Sequence, residues 1–133
     1  MQATNLAKQI ATYKGARPAC ILLGGETTVT IKGHGTGGRN QEFALAALMA
    51  TKNYQSGMPV ILAAGTDGTD GPTPAAGAVI DRDTWQAIHN KKLLPGNFLD
   101  NNDSFTFFQQ VGGHIITGPT QTNVMDVVVA LVP

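Results

Sequence analysis

Residues 60–73, VILAAGTDGTDGPT, join an apolar run to a glycine-rich loop that carries two aspartates. A short continuous apolar run of this kind is typical of a strand that is covered on both faces. The loop behind it loses conformational entropy when it is ordered, and its Gly, Thr and Asp side chains return little packing energy. The stretch therefore predicts a buried strand and a loop that other parts of the molecule hold in place.

Two other apolar runs also end in glycine and are then followed by polar residues. Residues 19–25 lead into Glu26, and residues 114–118 lead into the polar segment 119–123. If these strands are parallel, their three loops meet at the carboxyl edge of one sheet, which is where open α/β sheets bind ligands. Cys20 lies in the first of these runs, and we expect it to be a buried small hydrophobe.

Further strands and helices surround these runs. Residues 27–32 (TTVTIK) alternate and predict a strand that forms an antiparallel hairpin with the run before it, and residues 124–132 predict another strand. The clearest helix is predicted at 39–52, where the uniformly apolar sequence indicates burial on most sides. Residues 76–80 fit either a helix or a strand. Three more helices are predicted from helical spacing or N-capping residues, at residues 3–13, after Asp83 or Thr84, and after residues 102–104.

This alternation of strands and helices predicts an α/β fold, a layered Rossmann-like domain with a mixed, mostly parallel sheet flanked by helices. The 133 residues suit a single domain spanning 1–133. Nine Lys+Arg balance nine Asp+Glu, and without a basic cluster nothing indicates binding to nucleic acid or to an anionic membrane. No apolar stretch is long enough to span a bilayer and no signal sequence opens the chain, so we expect a cytoplasmic protein.

Residues 33–38 (GHGTGG) match the dinucleotide-binding pattern G-x-G-x-x-G between a strand and a helix. The acidic residue expected about 20 positions later is missing, so NAD binding is rejected. A loop that enters a helix N-terminus still favours an anion, because free N–H groups and the helix dipole point at it. Arg39 in the first helical turn is unfavourable to that dipole, so it either binds an anionic ligand or forms a salt bridge with Glu42.

The two aspartates of the opening loop, Asp67 and Asp70, have the chemistry of a Mg²⁺ site. Carboxylates, hydroxyls such as that of Thr69 and backbone carbonyls are the oxygen ligands that hard cations prefer. One of the two aspartates is alternatively placed to accept a proton from a substrate hydroxyl. A third interpretation is that both only form Asx turns with their own backbone.

Several motifs in order along the chain resemble one known family. They are residues 24–48 (GGETTVTIKGHGTGGRNQEFALAAL), 63–73 (AAGTDGTDGPT), 75–81 (AAGAVID), 101–108 (NNDSFTFF) and 117–129 (TGPTQTNVMDVVV). Together they cover about residues 18–133 and resemble the MOFRL domain, the C-terminal domain of glycerate 2-kinases, which were formerly named hydroxypyruvate reductases. Pro74 departs from the aspartate of the family pattern, and Gln121 departs from its small or aliphatic residue.

The resemblance implies an enzyme that phosphorylates D-glycerate with ATP and a divalent cation, taken to be Mg²⁺. Its cleft lies between this domain and a larger N-terminal domain. The chain is then a single MOFRL-type domain, 1–133, from a two-domain kinase whose N-terminal domain is absent, and we expect it to fold but to be inactive alone. The loops ending at Glu26, at Arg39–Glu42 and at Asp67–Asp70 are implied to form one wall of that cleft.

Residue chemistry suggests a role for each member of this wall. Arg39 holds the carboxylate of glycerate or a transferring phosphoryl oxygen, since its fork suits either anion. Asp67 or Asp70 binds Mg²⁺ or orients the substrate hydroxyl. The remaining candidates orient these groups or bind phosphate, and they are Glu26, Gly35, Gly37, Gly38, Asn40, Glu42 and Thr69.

Two other functions stay open at this point. One is a hydroxypyruvate reductase-type oxidoreductase, although the nicotinamide fingerprint is incomplete. The other is a non-catalytic regulatory or interaction domain. It predicts that substitutions in the two glycine-rich loops leave the activity of the parent protein unchanged.

Overall fold

One five-stranded sheet and one layer of helices make up the computed structural model, which describes residues 2–54 and 57–133. The strands within these residues are β1 (Ala19–Gly25), β2 (Val60–Gly65), β3 (Gly77–Ile80), β4 (His114–Ile115) and β5 (Asp126–Val132). The helices are α1 (Gln2–Thr12), α2 (Arg39–Ala50), α3 (Arg82–Lys91), α4 (Pro95–Asp100) and α5 (Ser104–Val111). The sheet has the order β1-β5-β2-β3-β4.

The expectation of a mostly parallel sheet is wrong, because every neighbouring pair of strands is antiparallel. The last strand, β5, inserts between β1 and β2 and runs opposite to both. An apolar run predicts that a strand is buried but carries no information about its direction, so the sequence pattern did not reveal this insertion. Since β1 and β2 are both antiparallel to β5, they run in the same direction, and β4 shares that direction across β3. The three glycine-ended strands therefore still end at one edge of the sheet.

The predicted hairpin strand at 27–32 is also wrong, because these residues form an extended segment outside the sheet. The side chain of Asn102 supplies the hydrogen bonds that a neighbouring strand would supply. Its Oδ1 accepts from the amides of Lys32 and Gly33 at 2.6 and 2.9 Å, and its Nδ2 donates to the carbonyl of Thr30 at 3.1 Å. Alternation and β-branched residues predict an extended backbone, but they do not say which group pairs with it.

The core lies between one face of the sheet and the helices. A cross-strand row of Ile21, Ala130, Ile61 and Ile80 marks this face, and all but Ile21 are fully buried. The predicted helix at 39–52 is confirmed as α2, which contacts α1, β2 and β3 and buries most of its residues. Burial of this apolar surface is the main stabilising contribution to the fold.

The other expectations differ from the structure mainly at element boundaries. The helix after Asp83 or Thr84 begins at Arg82, since Asp81 is its N-cap and exchanges hydrogen bonds with Thr84 in a capping box. The ambiguous segment 76–80 is strand β3. Cys20 is exposed rather than buried, because only one face of the sheet is covered. Within the described residues, no helix has the length and apolar character needed to cross a membrane.

Candidate functional site

A buried carboxylate, Asp126, lies at the centre of the edge where the three glycine-ended strands finish. It is the first residue of β5, and in the sheet it stands opposite Gly25 of β1 and Gly65 of β2. Both of its oxygens accept from the guanidinium of Arg39, with Nε at 2.7 Å and Nη2 at 2.9 Å. The amide and hydroxyl of Thr27 donate to the same carboxylate at 3.0 and 3.1 Å. The side chain of Asp126 thus joins the start of α2 to the residue that follows the end of β1, while its backbone lies beside the end of β2.

The hydrogen bonds keep Asp126 ionised in spite of its burial. Burial acts to raise the pKa of this carboxyl, but hydrogen bonds from Arg39, Thr27 and Asn40, together with the charge of Arg39, bring it from 3.8 to about 2. The bond to Asp126 in turn raises the pKa of Arg39 and outweighs the effect of burial. The pair is therefore a fixed, charged unit at neutral pH.

Arg39 does not form the expected alternative salt bridge with Glu42. Its carboxylate partner is Asp126, and its side chain remains 35% exposed. The bidentate pair uses the Nε and Nη2 groups, and the described residues offer no acceptor for Nη1. The negative charge of Glu26, an exposed residue directly after β1, also contributes to the raised pKa of Arg39. Asp126 thus holds the Nε and Nη2 groups of Arg39, while the Nη1 group of Arg39 is left open near Glu26.

Asp70 is the anion at the N-terminus of α2. Its Oδ1 accepts from the amide and side chain of Asn40 at 2.9 and 3.2 Å, and its Oδ2 accepts from the amide and side chain of Gln41 at 2.9 and 3.0 Å. The residue is 1% exposed. These bonds satisfy helix N–H groups that otherwise lack partners, and the negative charge complements the dipole. The anion that the sequence predicts at this helix end is therefore supplied by the protein itself.

The glycine segment before α2 packs against the turn between α4 and α5. The amide of Gly33 donates to Asn102, those of His34 and Gly35 to Asn101, and that of Thr36 to Asp103. Its glycines allow close packing, since a Cβ on Gly35 would overlap Asp103 and one on Gly38 would overlap Asp70. The predicted phosphate cradle is therefore limited to the amides of Gly37 and Gly38, which have no acceptor among the described residues.

Asp67 occupies a different environment from Asp70, three residues away. Its Oδ1 accepts from the amide of the exposed residue Thr69 at 3.0 Å, an Asx turn, while its other oxygen makes no hydrogen bond with a described residue. It is partly exposed and lies against Gly65, where an added Cβ would stand 3.1 Å from its Oδ1. The amide of Thr120 donates to the carbonyl of Asp67 at 3.2 Å, which ties this loop to the one after β4.

Glu42 and Asn40 complete the set of predicted residues. Both oxygens of Glu42 accept from Asn102 Nδ2, at 2.8 and 3.1 Å, and burial raises the pKa of Glu42 above its usual value. Asn40 is fully buried, and its Nδ2 donates to both Asp70 and Asp126. Because two carboxylates face Nδ2, the orientation of the amide is fixed. The Oδ1 of Asn40 is buried without a hydrogen-bond partner.

The two residues that connect most of this network, Asp126 and Asn102, were not among the sequence candidates, and neither was Thr27. Asp126 directly precedes an apolar strand, and an acid at the head of a buried strand requires a hydrogen-bonded partner. That requirement is the signal that could have identified it. No similar signal marks Asn102, because asparagine is common in loops and its partners lie 60 to 72 positions away.

The oxygen-rich side chains at this edge have the donor chemistry that Mg²⁺ prefers. The described residues contain no group of three His, Cys, Asp or Glu side chains that could hold a metal ion. Mg²⁺ commonly binds one or two carboxylates and takes its other ligands from water and substrate phosphates. The unpaired oxygen of Asp67 fits that pattern, whereas the oxygens of Asp70 are already bonded to α2.

Comparison with known proteins defines the class to which this architecture belongs. The chain belongs to the MOFRL family, whose family model matches residues 19–126. It is 45% identical over 116 residues to the D-glycerate 2-kinase of Thermotoga maritima, covering 87% of this chain and 27% of that protein. It is 47% identical over 133 residues to the glycerate kinase of Rattus norvegicus, covering 96% of this chain and 25% of that protein. The chain thus spans about a quarter of the length of these relatives, and the family resemblance of the motifs is confirmed.

Solved structures contain the same fold inside longer chains. The crystal structure of glycerate kinase from Thermotoga maritima matches with a TM-score of 0.86 and 40% identity, over 98% of this chain and 31% of that one. A Pyrococcus horikoshii protein matches with a TM-score of 0.84 and 39% identity, over 97% of this chain and 30% of that one. The α/β fold with an antiparallel sheet is therefore shared with a glycerate kinase.

Proposed function

We propose that this chain is the C-terminal domain of a cytoplasmic, ATP-dependent glycerate 2-kinase. The edge around Asp126 forms one wall of the cleft in which D-glycerate is phosphorylated, and a larger N-terminal domain forms the other wall. The observation that carries this proposal is the fixed but partly exposed guanidinium of Arg39, which lies at the edge where β1 and β2 end and where the charge of Glu26 acts on it. The similarity to glycerate kinases along nearly the whole chain supports the substrate and the reaction.

Arg39 binds the carboxylate of glycerate or an oxygen of the transferring phosphoryl group. Phosphoryl transfer requires positioning and neutralisation of charge more than covalent chemistry by the protein. The bidentate bond to Asp126 holds the guanidinium in place before substrate arrives, so little reorganisation is needed when the anion binds. The free Nη1 group is the donor that remains for that anion.

Asp67 orients the substrate hydroxyl or contributes an oxygen to Mg²⁺, and Asp70 keeps a supporting role as the anion that holds α2. The chemistry that Mg²⁺ would supply at Asp67 is neutralisation of phosphate charge. Glu26 and Glu42 are proposed to orient the groups around Arg39, as is Asn40 through its contacts with the two buried carboxylates. The amides of Gly37 and Gly38, with Thr69, contact phosphate oxygens.

The test is a kinetic comparison in the kinase-length protein that carries this chain. We expect Arg39→Ala and Asp67→Asn each to lower kcat/KM for D-glycerate by about 100-fold or more, the usual effect of losing one positioned charged group in a site. Asp83→Asn is the matched control, since this aspartate is exposed on α3 and lies outside the Asp126 network. If both variants stay within a few-fold of wild type, the proposed roles are wrong.

The same assay shows whether Arg39 acts only through its positive charge or also through the planar geometry of its guanidinium. Arg39→Lys keeps the positive charge but cannot form the bidentate pair with Asp126. We expect it to remain at least tenfold below wild type in kcat/KM. Activity of Arg39→Lys equal to wild type would show that charge alone is sufficient.

The reductase alternative is disfavoured by the contacts of the glycine segment. Four of its amides already donate to residues 101–103, so they are not available to the phosphates of a dinucleotide. Calorimetry of the kinase-length protein with NADH and with ATP-Mg²⁺ distinguishes the two functions. We expect saturable binding of ATP-Mg²⁺ and none of NADH.

A further inference from the structure

The face of the sheet opposite the helices is apolar across its width. Directly opposed residues in the antiparallel pairs share a face, so Leu22, Val129, Leu62 and Val79 form one row across four strands. The large apolar side chains and the single cysteine on this face are Cys20, Leu22, Val60, Leu62, Val79, Ile115, Val127, Val129 and Leu131.

Three of these side chains, on β1 and β5, are exposed, and the others are partly buried. Leu22 is 68% exposed, Leu131 is 50% exposed, and Cys20 beside Leu131 is exposed as well. The described strands β1, β2, β3 and β5 place no charged side chain on this face. Antiparallel sheets with one solvated face normally alternate polar and apolar residues, so an apolar face of this size indicates a contact surface.

We propose that this face is covered by amphipathic helices from the remainder of a glycerate kinase-length polypeptide, which gives a three-layer α/β/α arrangement. The matched structures contain this fold as only 31% and 30% of their chains, so polypeptide of the required length is present in those proteins. A sheet face that offers apolar side chains and no free polar groups is complementary to the apolar stripe of a helix. The helices already described cover only the other face.

The apolar face is continuous with the candidate site. Its last row is Gly24, Val127 and Ala64, directly before the row of Gly25, Asp126 and Gly65, which belongs to the helix side. The exposed residues Val124 and Met125 directly precede β5. Helices that lie on this face therefore reach the site from the side opposite α2. This inference rests on the proposal that the chain is part of a kinase-length protein, but not on the roles of Arg39 and Asp67.

Cys20 is a native probe of this surface. In the kinase-length protein, maleimide labelling of Cys20, followed by mass spectrometry of its peptide, is compared between native and guanidinium-denatured protein. We expect labelling in the native protein to be at least 100-fold slower. Asn90→Cys on the exposed side of α3 is the control and should label rapidly in both states. Equally fast labelling of native Cys20 would overturn the proposal, whatever the kinase assays show.

Substitutions of two exposed leucines, one on each side of the sheet, make the test more specific. Leu131→Thr places a β-branched residue that suits a strand in β5 but adds a hydroxyl to the proposed interface, and it should speed labelling of Cys20 at least tenfold. Leu94→Thr changes a 65% exposed leucine next to α4, on the helix side, and should leave the rate unchanged. If Cys20 loses its protection on dilution, at the concentrations at which sedimentation shows an oligomer dissociating, a second copy of the chain covers the face. That result would also overturn the proposal.

Discussion

Arg39 and Asp126 owe their geometry to the chain positions from which they come. Arg39 is the first residue of α2, and Asp126 is the first residue of β5, so neither side chain can move far without displacing a regular element. Asp126 receives five hydrogen bonds from Arg39, Thr27 and Asn40, which offset the cost of burying its charge. The guanidinium that faces the candidate site is therefore positioned by the fold rather than by substrate.

The depressed pKa of Asp126 predicts a specific acid sensitivity. Its folded-state pKa of about 2 lies below the unfolded value of 3.8, so its contribution to stability is complete above pH 3.8 and is lost as the pH falls toward 2. A difference of this size corresponds to about 2 kcal/mol. Urea unfolding of the 133-residue chain between pH 5 and pH 2 should show this loss in wild type, and the loss should be absent in Asp126→Asn.

Asp100→Asn is the control for this experiment, since that side chain is exposed and its removal should leave the wild-type pH dependence intact. The comparison uses the change in stability with pH, because Asp126→Asn also breaks the ion pair and lowers stability at every pH. If wild type and Asp126→Asn lose stability in parallel between pH 4 and pH 2, Asp126 is not the titrating group.

At the scale of the element, α2 depends on an acid that is remote in sequence. Gly38 precedes the helix and provides no side-chain cap, so Asp70 takes over that function from the loop after β2. The cap also fixes the distance between the loop and the helix, and a side chain at Gly38 would occupy the space of the Asp70 carboxyl. The two aspartates of the opening loop therefore have separate roles, with Asp70 facing the helix and Asp67 facing the site edge.

This separation predicts opposite effects of two isosteric substitutions. Asp70→Asn places an NH₂ group against N–H donors and removes the charge at the helix N-terminus, and it should lower the free energy of unfolding by about 2–4 kcal/mol. Asp67→Asn removes one partly exposed carboxylate with a single hydrogen bond, and should cost less than about 1 kcal/mol. Urea unfolding of both variants at pH 7 makes the comparison. Equal losses of stability would contradict the assignment.

Asn102 makes a second prediction at this scale, for the segment 27–38. Asn102→Ala removes the acceptor for the amides of Lys32 and Gly33, and the segment has no neighbouring strand that could replace it. We expect hydrogen exchange at these two amides to accelerate by at least tenfold while exchange in β5 stays unchanged. Asn90→Ala, an exposed asparagine on α3, should change neither. Unchanged exchange at Lys32 would show that another contact holds the segment.

Periodicity and apolar runs predicted the elements that are defined by local sequence. The dense apolar pattern from Phe43 to Ala50 predicted α2, and the run from Val60 predicted β2. The order of the strands was not accessible in this way, because the insertion of β5 depends on contacts more than 100 residues away in sequence. The capping role of Asp70 was missed for a related reason, since its partners at 40 and 41 are 30 and 29 residues distant.

At the scale of the whole molecule, the structure forms one wall of the candidate site and covers one face of the sheet with helices. The ends of β1 and β2 and the start of α2 bring Glu26, Arg39 and Asp67 to a common edge, where Glu26 is exposed and the other two are partly exposed. The apolar sheet face was implied by the sequence, where continuous apolar runs predicted strands covered on both faces. The structure covers one face only, and this difference is the physical reason for proposing a third layer.

The last prediction concerns the 133-residue chain by itself, which forms only one wall of the proposed site. The 133-residue chain has a buried core that joins all its layers, so we expect it to unfold in one cooperative urea transition. It lacks a second wall to close around the γ-phosphate and exclude water, and closure of that kind contributes much of the rate in phosphoryl transfer. We therefore expect no glycerate-dependent formation of ADP above background in a coupled assay at micromolar enzyme. Under the same conditions the kinase-length protein should turn over, and Asp67→Asn in that protein should turn over at least about 100-fold more slowly. Robust ADP formation by the 133-residue chain alone would show that the site needs no second wall.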